Sequence, residues 1–309
     1  MSQAQTEPRA AHAPLGLEKT RVVRARTTQG AVAALADAVA KGERAMLLAG
    51  GTDVIVDRHL LPPARATTVD LVVDVTGIPA FHAIDEDASA GERRLRFAGG
   101  VTYWDLRESA LVARDVPMLC AMAKDVGAVQ IQTRGTLAGN VASASPAADG
   151  VAALLALEAR LHLESVQGAR VISLRDALLG YRKTAIAPAE IVSAIDVRVP
   201  AAGARVTWRK VGTRLAQAIS KVALAAVIER DAAGVVTRAT FGAASVAATT
   251  HALPNVAAFV LGKKNGAIDA AGLDAAVARD IQPIDDVRST GEYRLHVARA
   301  LVRQALDLA

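Results

Sequence analysis

The chain has 309 residues, of which 52% are hydrophobic and 3% aromatic, and its formal net charge is +5. This length suits about two domains with a sizeable core, and the composition excludes a disordered chain. Basic residues are scattered and aromatic residues are rare, so no nucleic-acid-binding surface is predicted. The single cysteine, Cys120, cannot form an internal disulfide or hold an iron–sulfur cluster, and we expect it in the core.

The order of the predicted elements indicates an α+β fold, because strands and helices mix without regular βαβ alternation. Residues 1–16 show no periodicity and predict a flexible tail. They also lack the features of a secretion signal, so a cytoplasmic location is expected. Strands are predicted at Arg21–Arg26, Met46–Ala49, Val69–Asp74, Leu95–Gly99, Arg160–Glu164, Ile191–Val197, Lys221–Glu229 and Val235–Ala244. Helices are predicted at Ala31–Ala40, Leu106–Ala113, Pro117–Val126, Gly150–Leu157, Leu273–Ile281 and Tyr293–Leu308.

A domain boundary is predicted at Pro200–Gly203, which separates a first domain (residues 17–200) from a C-terminal α+β domain (residues 201–309). The longest uncharged run, Ala239–Gly262, is long enough to raise the question of a membrane helix. Its Thr, Asn and Gly content and the central Pro254 predict a strand, a turn and a short helix instead. No membrane insertion is expected.

Two turns rich in small residues carry the chemistry of this sequence. An apolar strand runs into Gly50-Gly51-Thr52-Asp53, and Arg134–Asp149 combines glycines with a hydroxyl-rich run and one acid. Such turns let the backbone approach a ligand and direct successive N–H groups at an anion, so two of them predict a diphosphate ligand. No dinucleotide-binding GxGxxG or P-loop motif is present. Without further context, the first turn is more often a strand followed by a tight Gly-Gly turn than a ligand-binding loop. Asp149 precedes a predicted helix, so its alternative role is that of a helix N-cap.

These motifs, together with GYRKT at Gly180–Thr184 and KVGTR at Lys210–Arg214, resemble the FAD-binding subunit or domain of the xanthine dehydrogenase and carbon monoxide dehydrogenase family. The resemblance to these molybdenum hydroxylases extends from about Arg21 to Leu308. It implies an FAD-binding PCMH-type domain of two α+β subdomains, as in vanillyl-alcohol-oxidase-like flavoproteins. It also implies a C-terminal domain like that of the carbon monoxide dehydrogenase flavoprotein.

The same resemblance implies which residues contact FAD. In the two turns these are Leu48, Ala49, Gly50, Gly51, Thr52, Asp53, Val54, Thr136, Leu137, Ala138, Gly139 and Asn140. Further implied contacts are Thr102, Ser143, Ser145, Asp149 at a ribose, Val192 at the flavin ring and Lys210 at the flavin. Arg182 and Lys183 are expected near the ring, and Val126 stands where some relatives carry a stacking aromatic residue. Ala138 replaces a family glycine and would strain the loop only at a positive φ.

The resemblance implies the medium, FAD-carrying subunit of a molybdenum hydroxylase, with GYRKT favouring the xanthine dehydrogenase branch slightly. Electrons would come from a small [2Fe–2S] subunit and leave through FAD to NAD⁺, a quinone or dioxygen. The substrate would react on a large molybdopterin-binding subunit, and a dimer of heterotrimers is expected. No catalytic acid, catalytic base or metal site is predicted here. The alternatives are a self-sufficient FAD-dependent oxidase or reductase, a carbon monoxide dehydrogenase-type medium subunit, and a non-catalytic nucleotide-binding scaffold.

Overall fold

The computed structural model describes residues 20–54, 56, 69–87 and 91–308. Its strands are β1 (Arg21–Arg24), β2 (Ala45–Leu48), β3 (Leu71–Asp74), β4 (Ile84–Asp87), β5 (Arg94–Ala98), β6 (Arg160–Ser165), β7 (Gly168–Ser173), β8 (Leu178–Gly180), β9 (Lys183–Thr184), β10 (Ile191–Arg198), β11 (Arg205–Val211), β12 (Val222–Arg230), β13 (Val236–Ala244) and β14 (His251–Ala252). Its α-helices are α1 (Thr28–Ala40), α2 (Tyr103–Glu108), α3 (Ala110–Asp115), α4 (Pro117–Asp125), α5 (Val129–Gln132), α6 (Leu137–Ser143), α7 (Asp149–Ala156), α8 (Leu174–Ala177), α9 (Pro254–Val260), α10 (Ala270–Asp280) and α11 (Gly291–Ala305).

A three-stranded parallel sheet of order β1-β3-β2 forms the first subdomain. Helix α1 begins after Thr27, whose side chain accepts a hydrogen bond from the backbone of Gly30. The apolar residues of α1 recur at helical spacing and bury one face against the sheet. Because ligands of parallel sheets bind beyond the carboxyl ends of the strands, the turn that follows β2 lies at the functional edge.

A five-stranded antiparallel sheet of order β4-β5-β10-β6-β7 forms the second subdomain. Apolar residues from its strands and from helices α2, α4, α6 and α7 share one hydrophobic core. Helix α7 is buried at every position, as expected for a helix that is apolar all round. Helix α6, which follows the second glycine turn, packs against α7 and β10.

The C-terminal sheet, of order β11-β12-β13-β14, is buried on both faces. Alternate residues of β12 join different cores: Ala223 and Ala225 pack in the core that contains α7, and Leu224 and Ala226 pack in the core that contains α10 and α11. A strand covered on both faces reads as a continuous apolar run, which explains the sequence VALAAVI. The predicted boundary at Pro200–Gly203 falls in the connection between β10 and β11.

Most predicted elements occur within a few residues of their expected limits, including Ala239–Gly262, which contains the end of β13, the short β14 and α9. The single helix predicted over Leu106–Ala113 is wrong. The structure has two helices there, because the first helix ends at Glu108. The side chain of Ser109 accepts a hydrogen bond from Val112 N and caps the start of the second helix. The predicted elements do not include strands β4, β7, β8, β9 and β11 or helices α5, α6 and α8. The predicted tail at residues 1–16 lies outside the described residues. No helix of the described ranges is long and apolar enough to cross a membrane.

Candidate functional site

A cavity of about 350 Å³ lies between the two subdomains, and both glycine turns line it. The first turn follows β2 at the carboxyl edge of the parallel sheet, and the second leads into helix α6. Most of the residues that the sequence nominated for FAD meet here. They are Ala49, Gly50, Gly51, Thr52, Asp53, Val54, Thr136, Ala138, Gly139, Asn140, Ser143 and Val192.

The two turns are in direct contact at Gly50. A methyl group at this position would overlap the carbonyl oxygen of Arg134 and touch Gly135. The turns are also joined by a side-chain hydrogen bond, in which the Ser143 hydroxyl donates to Asp53 Oδ2 at 2.6 Å. The first turn therefore requires a glycine because the second turn passes against it, and the pair acts as one wall of the cavity.

The substitution at Ala138 causes no backbone strain. Ala138 lies in the first turn of helix α6 and is absent from the non-glycine residues of positive φ in the described chain. The helix is capped by Thr136, whose hydroxyl accepts from Gly139 N at 3.0 Å. The second turn is thus a capped helix start, in which alanine is fully compatible with the required backbone conformation.

Aliphatic and aromatic side chains form another part of the cavity wall. Val126 lies there, as expected for an aliphatic residue at that position, together with Val192 at the start of β10. Phe81, Ile131 and Tyr103 were missed by the sequence reasoning. They come from short segments without a recognisable motif, and only the packing of the subdomains brings them to the cavity.

Asp149 and Lys210 lie outside the set of residues that line this cavity and pair with each other instead. Lys210 Nζ lies 2.6 Å from Asp149 Oδ2 and donates to the carbonyl oxygen of Asp125 at 2.8 Å. The Ser220 hydroxyl donates to the other Asp149 oxygen. Burial raises the pKa of Asp149, although Lys210 opposes this effect. The N-cap interpretation of Asp149 is wrong, because the residue is inside helix α7 and the cap position is Ala148.

The other nominated residues serve local structure. Thr102 begins helix α2 through a reciprocal capping box with Asp105. The Ser145 hydroxyl accepts from Ala147 N, and Leu48 and Leu137 do not line the cavity. The GYRKT segment forms the β8–β9 hairpin, and neither Arg182 nor Lys183 is part of the cavity lining.

Two further features concern the chemistry open to this chain. Cys120 is half-buried at the edge of the core with its Sγ 3.1 Å from the carbonyl oxygen of Leu106, and burial raises the pKa of its thiol. Over the described ranges, no group of three or more His, Cys, Asp or Glu residues converges as metal ligands would.

The chain matches two family models that follow each other along the sequence. Residues 18–202 match the FAD binding domain in molybdopterin dehydrogenase, and residues 208–309 match the CO dehydrogenase flavoprotein C-terminal domain. Among individual proteins, the chain is 29% identical over 282 residues to the carbon monoxide dehydrogenase medium chain of Afipia carboxidovorans, covering 89% of this chain and 93% of that protein. It is 28% identical over 292 residues to the xanthine dehydrogenase FAD-binding subunit of Escherichia coli, covering 90% and 94%.

A solved structure agrees with these sequence relationships. Carbon monoxide dehydrogenase from Hydrogenophaga pseudoflava superimposes with a TM-score of 0.85 at 26% identity, covering 94% of this chain and 97% of that chain. The same α+β architecture thus extends over both domains, and the two turns that meet at Gly50 lie within the matched FAD-binding region. The chain belongs to the FAD-binding family of the molybdopterin dehydrogenases, and it is an FAD-binding oxidoreductase of that family.

Proposed function

We propose that this chain is the medium, FAD-carrying subunit of a three-component molybdenum hydroxylase, with FAD bound in the cavity between its subdomains. The single observation that carries this proposal is the meeting of the two glycine turns. Residues separated by about ninety positions, Asp53 and Ser143, are hydrogen-bonded across one cavity wall. A ligand with a diphosphate in its centre would be held by the backbone N–H groups of both turns.

The residues present fit FAD. Gly50, Gly99 and Gly139 line the cavity, and at each of them an added methyl group would meet neighbouring protein atoms at 2.9 Å or less, so backbone without side chains forms the cavity wall there. Val126, Val192 and other apolar wall residues offer a surface suited to a flavin ring. When bound, FAD supplies the redox chemistry. The protein binds it, orients the ring and excludes water, and no residue of this chain is proposed as a catalytic acid or base.

The nominated residues outside the cavity lining stay proposals. Gly150, the residue after Asp149, lies against the Tyr103 hydroxyl, and Tyr103 lines the cavity, so the Asp149–Lys210 pair lies close to the cavity wall. We propose that this pair contacts FAD in the way that the family resemblance implies, Lys210 at the flavin and Asp149 at a ribose. Leu48, Thr102, Leu137 and Ser145 would then support the same site through the backbone segments that they terminate or cap.

The wider assembly follows from the relatives, which include medium chains and FAD subunits of several dehydrogenases. We propose a small [2Fe–2S] subunit as the electron donor and a large molybdopterin subunit as the site of substrate oxidation, in a cytoplasmic dimer of heterotrimers. NAD⁺, a quinone or dioxygen would accept the electrons. The division into an FAD-binding domain at residues 17–200 and a C-terminal domain at residues 201–309 is part of this proposal.

Purification tests the proposal directly. The chain expressed alone is expected to bind one FAD, and coexpression with the proposed large and small subunits is expected to yield one complex containing iron and molybdenum. Electrons from the substrate should then bleach the flavin absorption only in the complete complex. An FAD-loaded chain that oxidises a small organic substrate by itself, without iron or molybdenum, would contradict the subunit assignment.

A further inference from the structure

Helix α4 ends at Asp125, directly before a residue of the cavity wall. The last carbonyl groups of an α-helix have no donor within the helix, so they need partners from elsewhere. After Val126 the chain turns at Gly127, whose φ is 51°, and enters the short helix α5. Val126 and Ile131, on the two sides of this turn, both line the cavity. The position of this part of the wall therefore depends on what holds the end of α4.

A buried glutamine, Gln132, binds the end of α4. It is the last residue of α5 and is only 3% exposed. Its Nε2 group donates to the carbonyl oxygen of Val126 at 2.9 Å and to that of Lys124 at 3.2 Å. A side-chain amide has two N–H donors, so it can serve both carbonyls at once. Gln132 thus ties α5 to the end of α4 across the turn that carries Val126.

The orientation of the Gln132 amide is fixed from its other side. The guanidinium group of Arg107, on helix α2, donates to Gln132 Oε1. Arg107 lies over the ring of Trp104, with its central guanidinium carbon 4.7 Å from the ring centre. Because Oε1 accepts from a cation, the amide nitrogen points at the two carbonyl oxygens and not away from them.

The C-terminal domain holds the residue between these two carbonyls. Trp208 Nε1 donates to Asp125 Oδ2 at 2.8 Å, and Lys210 Nζ donates to the Asp125 carbonyl oxygen at 2.8 Å. The three consecutive carbonyl oxygens from Lys124 to Val126 therefore all accept from side chains of other elements. These bonds set the place of the Val126 side chain in the wall.

We propose that Gln132 is a positioning residue for the flavin: it fixes the turn between α4 and α5 so that Val126 packs against the ring. This inference rests on the proposed binding of FAD in this cavity. Gln132 is outside the cavity lining and acts only through the wall residues that it holds. An apolar side chain of similar size would fill the same volume, but it would leave two carbonyl oxygens without donors and the wall free to shift.

Gln132→Met tests this role, because it keeps the volume of the side chain and removes its hydrogen bonds. FMN carries the flavin ring, whereas ADP carries only the nucleotide end of FAD. The dissociation constant of FMN, measured by isothermal titration, is expected to rise about threefold to tenfold, and that of ADP to stay within about twofold of the wild-type value. Gln130→Met is the matched control, since Gln130 is exposed on the same short helix and should leave both values unchanged.

The visible absorption of the bound flavin gives an independent measurement. FAD bound to Gln132→Met is expected to show a spectrum closer to that of free FAD in water, because a displaced wall exposes the ring. The spectrum of FAD bound to Gln130→Met should match that of the wild type. Identical spectra in all three proteins would contradict a role of Gln132 at the ring.

Arg107→Gln provides a second variant, which keeps Gln132 and removes the donor to its Oε1. It should weaken FMN more than ADP, by a smaller factor than Gln132→Met does. Combined with Gln132→Met, it should add little further weakening, because both residues act through the same hydrogen bonds. Since Arg107 is only half-buried, this variant also tests the inference if Gln132→Met does not fold.

Two failures are distinguishable in this design. If the wild-type protein does not bind FAD, the proposed function is wrong. If the wild-type protein binds FAD and both variants bind FMN as tightly as the wild type does, only the role of Gln132 is wrong. An equal loss of affinity for FMN and ADP would show a general structural role, which would also overturn the inference.

Discussion

At the scale of single residues, the buried pair of Asp149 and Lys210 joins the two domains. Asp149 begins helix α7 in the FAD-binding region, and Lys210 lies on strand β11 of the C-terminal sheet. Both side chains are less than a tenth exposed, and Ser220 and the Asp125 carbonyl complete their hydrogen bonds. A buried ion pair tolerates the loss of one member poorly, because the other charge is left without compensation.

Asp149→Ala is therefore expected to lower the free energy of unfolding by about 3–5 kcal/mol. It should also weaken FAD retention far more than Cys120→Ser, since the Cys120 thiol bonds the Leu106 carbonyl and is not part of the cavity lining. Urea unfolding and the FAD content per chain after gel filtration would measure both effects. Equal, stoichiometric FAD in the two variants would show that Asp149 has no role in the site.

Asp196 provides a prediction about pH. This carboxylate is fully buried on β10, and burial alone would raise its pKa, but hydrogen bonds from His162, Arg160 and Arg94 lower the pKa to about 2. A lowered native pKa stabilises the protein above the unfolded pKa, and this stabilisation is lost as the pH falls towards 2. Asp196→Asn should thus cost about 3 kcal/mol at pH 7 and progressively less between pH 4 and pH 2.

Denaturant unfolding of both proteins at several pH values would measure this difference. Asp176→Asn is a suitable control, because Asp176 is an exposed residue that exchanges hydrogen bonds with the nearby Ser173. A difference between the Asp196→Asn variant and the wild type that stays constant from pH 7 to pH 2 would show that ionisation of Asp196 does not stabilise the fold.

At the scale of elements, the site depends on close packing between backbone segments. The turn after β2 and the turn before α6 belong to different subdomains and touch at Gly50. No side chain fits between them, so the cavity wall exists only while the backbones remain in contact. This explains why small residues recur in both turns.

Gly50→Ala is expected to separate the two turns and to weaken FAD binding by at least tenfold, because the new methyl group overlaps the Arg134 carbonyl oxygen. Gly180→Ala is the control, since Gly180 is outside the cavity lining, a methyl group there meets nothing within 4 Å, and the backbone has no positive φ. Isothermal titration with FAD would compare the two variants. Unchanged affinity in Gly50→Ala would mean that the contact between the turns is not needed for binding.

At the scale of the whole molecule, the C-terminal sheet completes the core of the FAD-binding region. Strands β12 and β13 pack directly on helix α7, and Trp208 of β11 belongs to the same core. Ion pairs across the junction include Arg198 with Glu229 and Arg238 with Glu158. We therefore expect the two domains to unfold together rather than independently.

Gly242→Ala tests this coupling, because a methyl group at Gly242 overlaps the carbonyl oxygen of Ala152 on helix α7. The variant is expected to lose roughly 1–3 kcal/mol of stability through overpacking and to show a broadened or divided thermal transition. Gly266→Ala, which meets open space, should unfold like the wild type. A single, unshifted calorimetric transition in Gly242→Ala would show that the junction adjusts without cost.

The sequence alone determined the α+β class, most of the elements and the two turns. These features depend on local patterns: alternation in strands, helical spacing at Leu35 and Ala38, and glycines where the backbone must turn. The turn residues Gly50 and Asn140 could therefore be singled out from the sequence, and both line the cavity. Only the tertiary structure decided which other residues line the cavity beside these two. Phe81, Ile131 and Tyr103 carry no local signal, and Lys210 pairs with a partner 61 positions away, because such contacts arise when separate elements pack together.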